Sequence, residues 1–205
     1  TIDSRVQYLV ENILRRVGRA AAVVLDPNTG EVISMVSVPD FTPSYFVPSI
    51  DPEAWKNYTS NRANPLVNKA INNFTPGSTF KLPTAIAAAI HGHAFDHEDC
   101  SGYVAYGNVK IRCWKRSGHG RLDLQEAIQR SCNCYFMEIA NKIGSKKMLS
   151  SFQLLGLGLK TGIELPSESS GFIPGNRFWR QQLHPGSAVT PAITGMMSIG
   201  QSDSA

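Results

Sequence analysis

The stretch "NNFTPGSTFKLPTAIAAAIHG", residues 72–92, decides how this chain is read. It sets Ser78 and Lys81 three residues apart where an alanine-rich helix is expected to begin, with His91 and Gly92 as its end. Side chains three apart on a helix share a face, so the Lys81 amine can reach the Ser78 hydroxyl. A serine becomes a competent nucleophile only when a base takes its proton, and a lysine acts as that base only when its pKa falls. Burial against an apolar helix and the positive end of the helix dipole both push it down. Pro76-Gly77 lets the chain turn sharply into the helix, leaving Ser78 exposed. The plain alternative is that Thr75 or Ser78 caps the helix and Lys81 lies on a solvated face.

The rest of the chain bounds what the stretch can mean. The 205 residues are 42% hydrophobic and 18% charged, with a net charge of +4, which is the composition of a globular chain with a sizeable core. Lys and Arg are scattered rather than clustered, so nucleic acid is not an expected partner. No apolar run approaches the length of a membrane span, and no secretory leader opens the sequence. There is no repeat and no low-complexity linker, so residues 1–205 are taken as one domain.

Periodicity gives the elements. Val6, Leu9, Val10, Ile13, Leu14 and Val17 mark one face of a helix over 2–17. Two β-rich runs flank the turn residues Asp26 to Gly30, and a smaller hairpin turns at Gly107-Asn108 within "YVAYGNVKIRC". The forty residues after the first hairpin read as irregular. Helical patterns return from Asp123 through Cys134 onward and at 144–155, and the tail, with Pro166, Pro174, Pro185 and Pro191, reads as loop. Helices interleaved with an incomplete antiparallel sheet predict an α+β fold, with too few strands to cover the helices.

A second element bears on the first. "RSCNCYFMEIANKIG", residues 130–144, places Ser131 and Asn133 at S-x-N spacing just before an apolar helical run. A second hydroxyl and an amide opposite a serine nucleophile are the groups that relay a proton to a leaving group and hold a substrate amide. With "TIDSRVQ", "AAVVLDPNTGEVISMVSVPDFTPS", "NKAINNFTPGSTFK", "CWKRSGHG", "AIQRSCNCYF", "TGIELPSESSG" and "SIGQS" in order, the chain resembles the transpeptidase domain of the class B penicillin-binding proteins, of the elongation type.

The resemblance implies the penicillin-binding protein and serine β-lactamase fold, and a peptidoglycan D,D-transpeptidase acting in cell elongation. Ser78 would be the nucleophile, Lys81 the general base, and Ser131 with Asn133 the relay and substrate-amide contacts. Stem peptides would be the substrates and β-lactams the inhibitors. A membrane-embedded glycan polymerase and proteins of the elongation complex would be partners, at the periplasmic face of the inner membrane. A serine β-lactamase, a β-lactam sensor domain and an inactive scaffold module of a cell-wall complex are the alternatives.

One family motif is in doubt. Lys160-Thr161-Gly162 spells the third catalytic motif, but it lies 27 residues after Asn133, inside "GLGLKTGIELPSE", which resembles a loop of the class B proteins. It is therefore assigned to a loop. The genuine motif and its strands would follow residue 205, and the N-terminal anchor and pedestal would precede residue 1. On that expectation the chain is a truncated transpeptidase domain and inactive by itself.

The chain has four cysteines, Cys100, Cys113, Cys132 and Cys134, and three of them form, with His119, the series C-x12-C-x5-H-x12-C, whose composition suits zinc. A hairpin turning at Gly107-Asn108 brings Cys113 opposite Gly102 and near Cys100, and His119 follows in a glycine-flanked loop. Cys132 and Cys134 compete for the fourth place, and a disulfide or plain buried thiols are the alternatives to a metal. The resemblance chooses Cys132, giving Cys100, Cys113, His119 and Cys132 around a structural zinc. Trp114 is singled out beside Cys113 at the expected rim of the site, and Gly200-Gln201 is read as a packing turn.

Overall fold

The computed structural model describes residues 2–201. Thr1 of the first family-like segment and Ser202 of the last lie outside the described residues. The chain divides into two compact units, Thr1–Asn72 and Asn73–Ala205, at a boundary that carries no linker composition.

In the first unit, α1 (Ser4–Val17) begins where the Asp3 side chain accepts hydrogen bonds from the Arg5 and Val6 amides, and it stops at Gly18. Strands β1 (Ala20–Leu25) and β2 (Val32–Val38) pair antiparallel around the predicted turn, which Asp26 shapes by accepting from the Asn28 and Thr29 amides. Gln7 of α1 pairs with the outer edge of β2, donating to the Met35 carbonyl at 2.9 Å and accepting from the Met35 amide at 3.0 Å. The helix is not buried over its whole apolar stripe. Val6, Val10 and Leu14 are half-buried, whereas Leu9, Ile13 and Val17 are exposed, because a two-stranded ribbon is narrower than the stripe.

The segment expected to be irregular contains α2 (Pro52–Ser60), capped by Asp51 with Pro52 in its first turn. The signal was legible: Asp-Pro-Glu joins an N-cap, a proline at the first helical position and an acidic first turn. Lys69, 5% exposed, donates to the carbonyls of Pro39, Asn64 and Val67 and so ties the loops of this unit together.

In the second unit, a 3₁₀ turn (Gly77–Phe80) leads into α3 (Lys81–Ile90). Strand β3 (Glu98–Cys100) pairs with β6 (Gly120–Leu122), and β4 (Tyr103–Tyr106) pairs with β5 (Val109–Arg112), all antiparallel. The predicted second hairpin is β4–β5. The helical pattern from Asp123 is interrupted: α4 (Leu124–Gln129) ends at Arg130, and α5 (Asn133–Ile143) starts after a turn in which Ser131 has φ 47°. Helix α6 (Ser145–Leu154) follows, and a π-helical turn (Trp179–Leu183) and α7 (Pro191–Ser198) lie in the tail read as loop. Phe80, Ala87, Ala88, Tyr135, Phe136, Met137, Ile139, Met148, Phe152 and Met197 make one continuous core around the buried helix α5. The architecture is α+β, with helices over two-stranded antiparallel sheets.

Candidate active site

Ser78 and Lys81 are brought together by a tighter turn than an α-helix. Residues three apart eclipse one another on a 3₁₀ turn, and Ser78 lies within the turn Gly77–Phe80 while Lys81 opens α3. Ser78 is exposed and Lys81 is 3% exposed, which leaves the hydroxyl open to a ligand and the amine dry. The turn is braced from the tail: the Gly77 amide donates to the Gly200 carbonyl at 3.0 Å, and Thr84 donates to the Ser198 carbonyl at 2.8 Å. Gly200 has φ 65°, and a Cβ there would lie 2.3 Å from the Gly77 carbonyl oxygen, so only glycine allows this approach.

The S-x-N segment closes the site from the other side. Lys81 Nζ donates to Ser78 Oγ at 3.3 Å and lies 2.8 Å from each of Ser131 Oγ, the Ser131 carbonyl and Asn133 Oδ1. Ser131 Oγ donates to Ser78 Oγ at 3.2 Å, so the two hydroxyls and the amine form a closed triangle. Burial pushes the Lys81 ammonium below its usual range, and the Cys113 and Cys132 sulfurs pull weakly the other way. Asn133 is turned inward: its Oδ1 faces Lys81, and its Nδ2 reaches toward the Arg112 carbonyl at 3.5 Å.

Lys160-Thr161-Gly162 takes no part. Thr161 donates through its amide and its hydroxyl to Glu168 in an exposed loop, and no strand runs through these residues.

Beside the triangle lies a thiol and imidazole cluster. The ligand-type atoms of Cys100, Cys113, His119 and Cys132 all lie within 4.8 Å of one another, and the three cysteines are buried. The β4–β5 register sets Cys113 next to Gly102, whose carbonyl accepts from the Cys113 amide at 2.8 Å. The β3–β6 pairing sets Cys100 opposite Gly120 and so places His119. His119 Nδ1 stands 3.5 Å from Cys100 Sγ and 3.6 Å from Cys113 Sγ. A tetrahedral metal with bonds of ~2.3 Å to sulfur and ~2.05 Å to nitrogen requires edges of roughly 3.6 Å, so the donor set fits zinc. A Cβ at Gly118 would lie 2.1 Å from the Cys100 carbonyl oxygen, which is why the loop before His119 needs glycine.

All four cysteines are free thiols. Cys132 is the N-cap of α5. Hydrogen bonding from Cys134, helped by the Tyr135 amide, lowers its thiol below the usual cysteine range. Cys134 is pushed up, by Cys132 first and then by burial, and stays outside the four-residue cluster.

Residues 20–202 match the family model described as the penicillin binding protein transpeptidase domain. The chain is 35% identical over 189 residues to peptidoglycan D,D-transpeptidase MrdA of Acinetobacter baumannii, covering 89% of this chain and 28% of that protein. Pseudomonas aeruginosa PBP2, solved in complex with WCK 5153, superimposes with a TM-score of 0.87 at 32% identity, over 99% of this chain and 47% of that one. Helicobacter pylori PBP2, solved in a complex with MreC, gives a TM-score of 0.90 at 27% identity, over 100% of this chain and 38% of that one.

Proposed function

The chain belongs to the penicillin-binding protein transpeptidase family, and from that premise we propose that the full-length protein is a peptidoglycan D,D-transpeptidase of the elongation type, working through an acyl-enzyme on Ser78. The observation that carries the reading is the buried Lys81 amine, set between the Ser78 and Ser131 hydroxyls. Ser78 Oγ attacks the carbonyl between the two terminal D-alanines of a stem peptide while Lys81 Nζ takes its proton. The Ser78 backbone N–H is one donor to the developing oxyanion. Collapse expels D-alanine, whose nitrogen receives a proton through Ser131 Oγ, which bridges Lys81 and Ser78. The amine of a neighbouring stem then attacks the ester, forms the crosslinking amide and frees Ser78.

A β-lactam takes the same course, but its cleaved amide stays tethered and the ester persists. Stem peptides are thus the substrates and β-lactams the inhibitors. The protein would act on the periplasmic face of the inner membrane beside a membrane-embedded glycan polymerase. The MreC complex of the Helicobacter pylori relative supports elongation-complex proteins as partners.

Zinc is proposed as a structural cofactor held by Cys100, Cys113, His119 and Cys132. Four protein ligands leave no open position, so the metal would supply cross-linking and no chemistry on the substrate. The ligands would tie the β3–β6 pair and the β4–β5 hairpin to Cys132, the residue between Ser131 and Asn133.

Fluorescent-penicillin labelling of the full-length protein followed over time tests the reading. Stable Ser78-dependent labelling is expected. Rapid release of the label would instead indicate a β-lactamase, and no labelling an inactive scaffold.

A further inference from the structure

Trp114 lies outside the catalytic set and the metal ligands, and the residue is 65% exposed. It is nonetheless fixed. Its Nε1–H donates to the Arg130 carbonyl at 3.0 Å, and its ring meets the His119 ring edge-on at 5.1 Å. The carbonyl it holds belongs to the peptide joining Arg130 to Ser131. The other polar end of that peptide, the Ser131 amide, donates to the Ile128 carbonyl at 3.0 Å. Both ends of one peptide plane are therefore bonded, one of them by a side chain from a different element.

That plane is the reference for the φ angle of Ser131, which is 47°. A residue with a Cβ takes a left-handed conformation only when its surroundings impose it. Here the conformation has a use: it turns the Ser131 carbonyl and hydroxyl to the same side, each 2.8 Å from Lys81 Nζ. Relaxation of φ toward the right-handed region would swing the two oxygens apart, and they could no longer both contact the amine.

We propose that Trp114 is a positioning residue: its indole N–H clamps the Arg130–Ser131 peptide and so holds Ser131 in the left-handed conformation that completes the Lys81 and Ser78 triangle. Edge-on contact with His119 sets the ring, which couples the thiol and imidazole cluster to the proton relay. The kinetic consequence rests on the acyl-enzyme reading above; the conformational one does not.

The clamp is a hydrogen bond, so replacing the donor separates it from an exposed aromatic platform. Trp114→Phe keeps a ring and removes the N–H, while Trp114→Ala removes both. In the full-length protein both variants should acylate with benzylpenicillin about 3–10-fold more slowly at saturation, the loss expected for one hydrogen bond. The half-saturating concentration should stay within about twofold and the melting temperature near that of the wild type. A crystal structure of W114F should show the Arg130 carbonyl rotated and Ser131 out of the left-handed region. Wild-type acylation by W114F with a weakened half-saturation in W114A would make Trp114 a ligand platform and overturn the clamp. So would a W114F structure in which Ser131 keeps its φ and both contacts to Lys81. If the wild type itself does not acylate on Ser78, the acyl-enzyme reading falls, and the crystal structure still decides the role of Trp114.

Discussion

Lys81 Nζ has four oxygen neighbours within 3.3 Å, and an ammonium has three protons to give. Two of the four, the Ser131 carbonyl and Asn133 Oδ1, can only accept. Once the ammonium loses a proton, its two remaining N–H groups can stay on those two acceptors, and the lone pair can turn to Ser78 Oγ, 3.3 Å away, whose proton it takes. Burial favours the same neutral form. Because the neutral amine is the base, the acylation rate should rise with pH and level off above the Lys81 pKa. The midpoint of that limb should fall below the ordinary lysine value of 10.5, and a limb at or above that value would contradict the assignment. Lys81→Met keeps the length of the side chain and should lower acylation on the order of 10²–10⁴-fold without unfolding the protein.

Among the elements, the short 3₁₀ turn and the tail that braces it matter most. Gly200→Ala would force a Cβ to within 2.3 Å of the Gly77 carbonyl oxygen at a left-handed φ of 65°. The expected cost is about 1–3 kcal/mol in a urea melt, with slower acylation because the Ser78 turn must move. An alanine variant as stable and as fast as the wild type would mean that the brace is dispensable. Helix α3 was legible because its alanine-rich run and its His91-Gly92 stop are local signals. The 3₁₀ start was not, because Ser-x-x-Lys reads the same on either helix type. The break between α4 and α5 was hidden for a related reason: the apolar period continues across Arg130–Cys132, and the left-handed turn at Ser131 is imposed by tertiary hydrogen bonds rather than by residue choice. Cys113 beside Gly102 followed directly from the hairpin turn. The β3–β6 pairing that places His119 is too short for its pattern to show.

For the molecule as a whole, the thiol and imidazole cluster gathers β3, the end of β5, the loop before β6 and the start of α5. Such a cluster cross-links elements whose sheets have only two strands each, so the metal would contribute directly to folding stability. Full-length protein purified without added metal or chelator should carry close to one zinc per chain. Chelation should lower its melting temperature by about 5 °C or more and slow acylation while leaving Ser78 intact. Less than about 0.2 zinc per chain, together with a Cys100–Cys113 disulfide in the peptide map, would contradict the closed four-ligand site. The chain spans 28% of the Acinetobacter baumannii transpeptidase, so these measurements belong to the full-length protein. The central claim, that Ser78 is the nucleophile, is tested most directly by treating that protein with benzylpenicillin and mapping the adduct after trypsin digestion. The account predicts a single adduct on the peptide of residues 70–81, which contains Ser78, and none in Ser78→Ala. An adduct on any other peptide, or one that survives in Ser78→Ala, would contradict it.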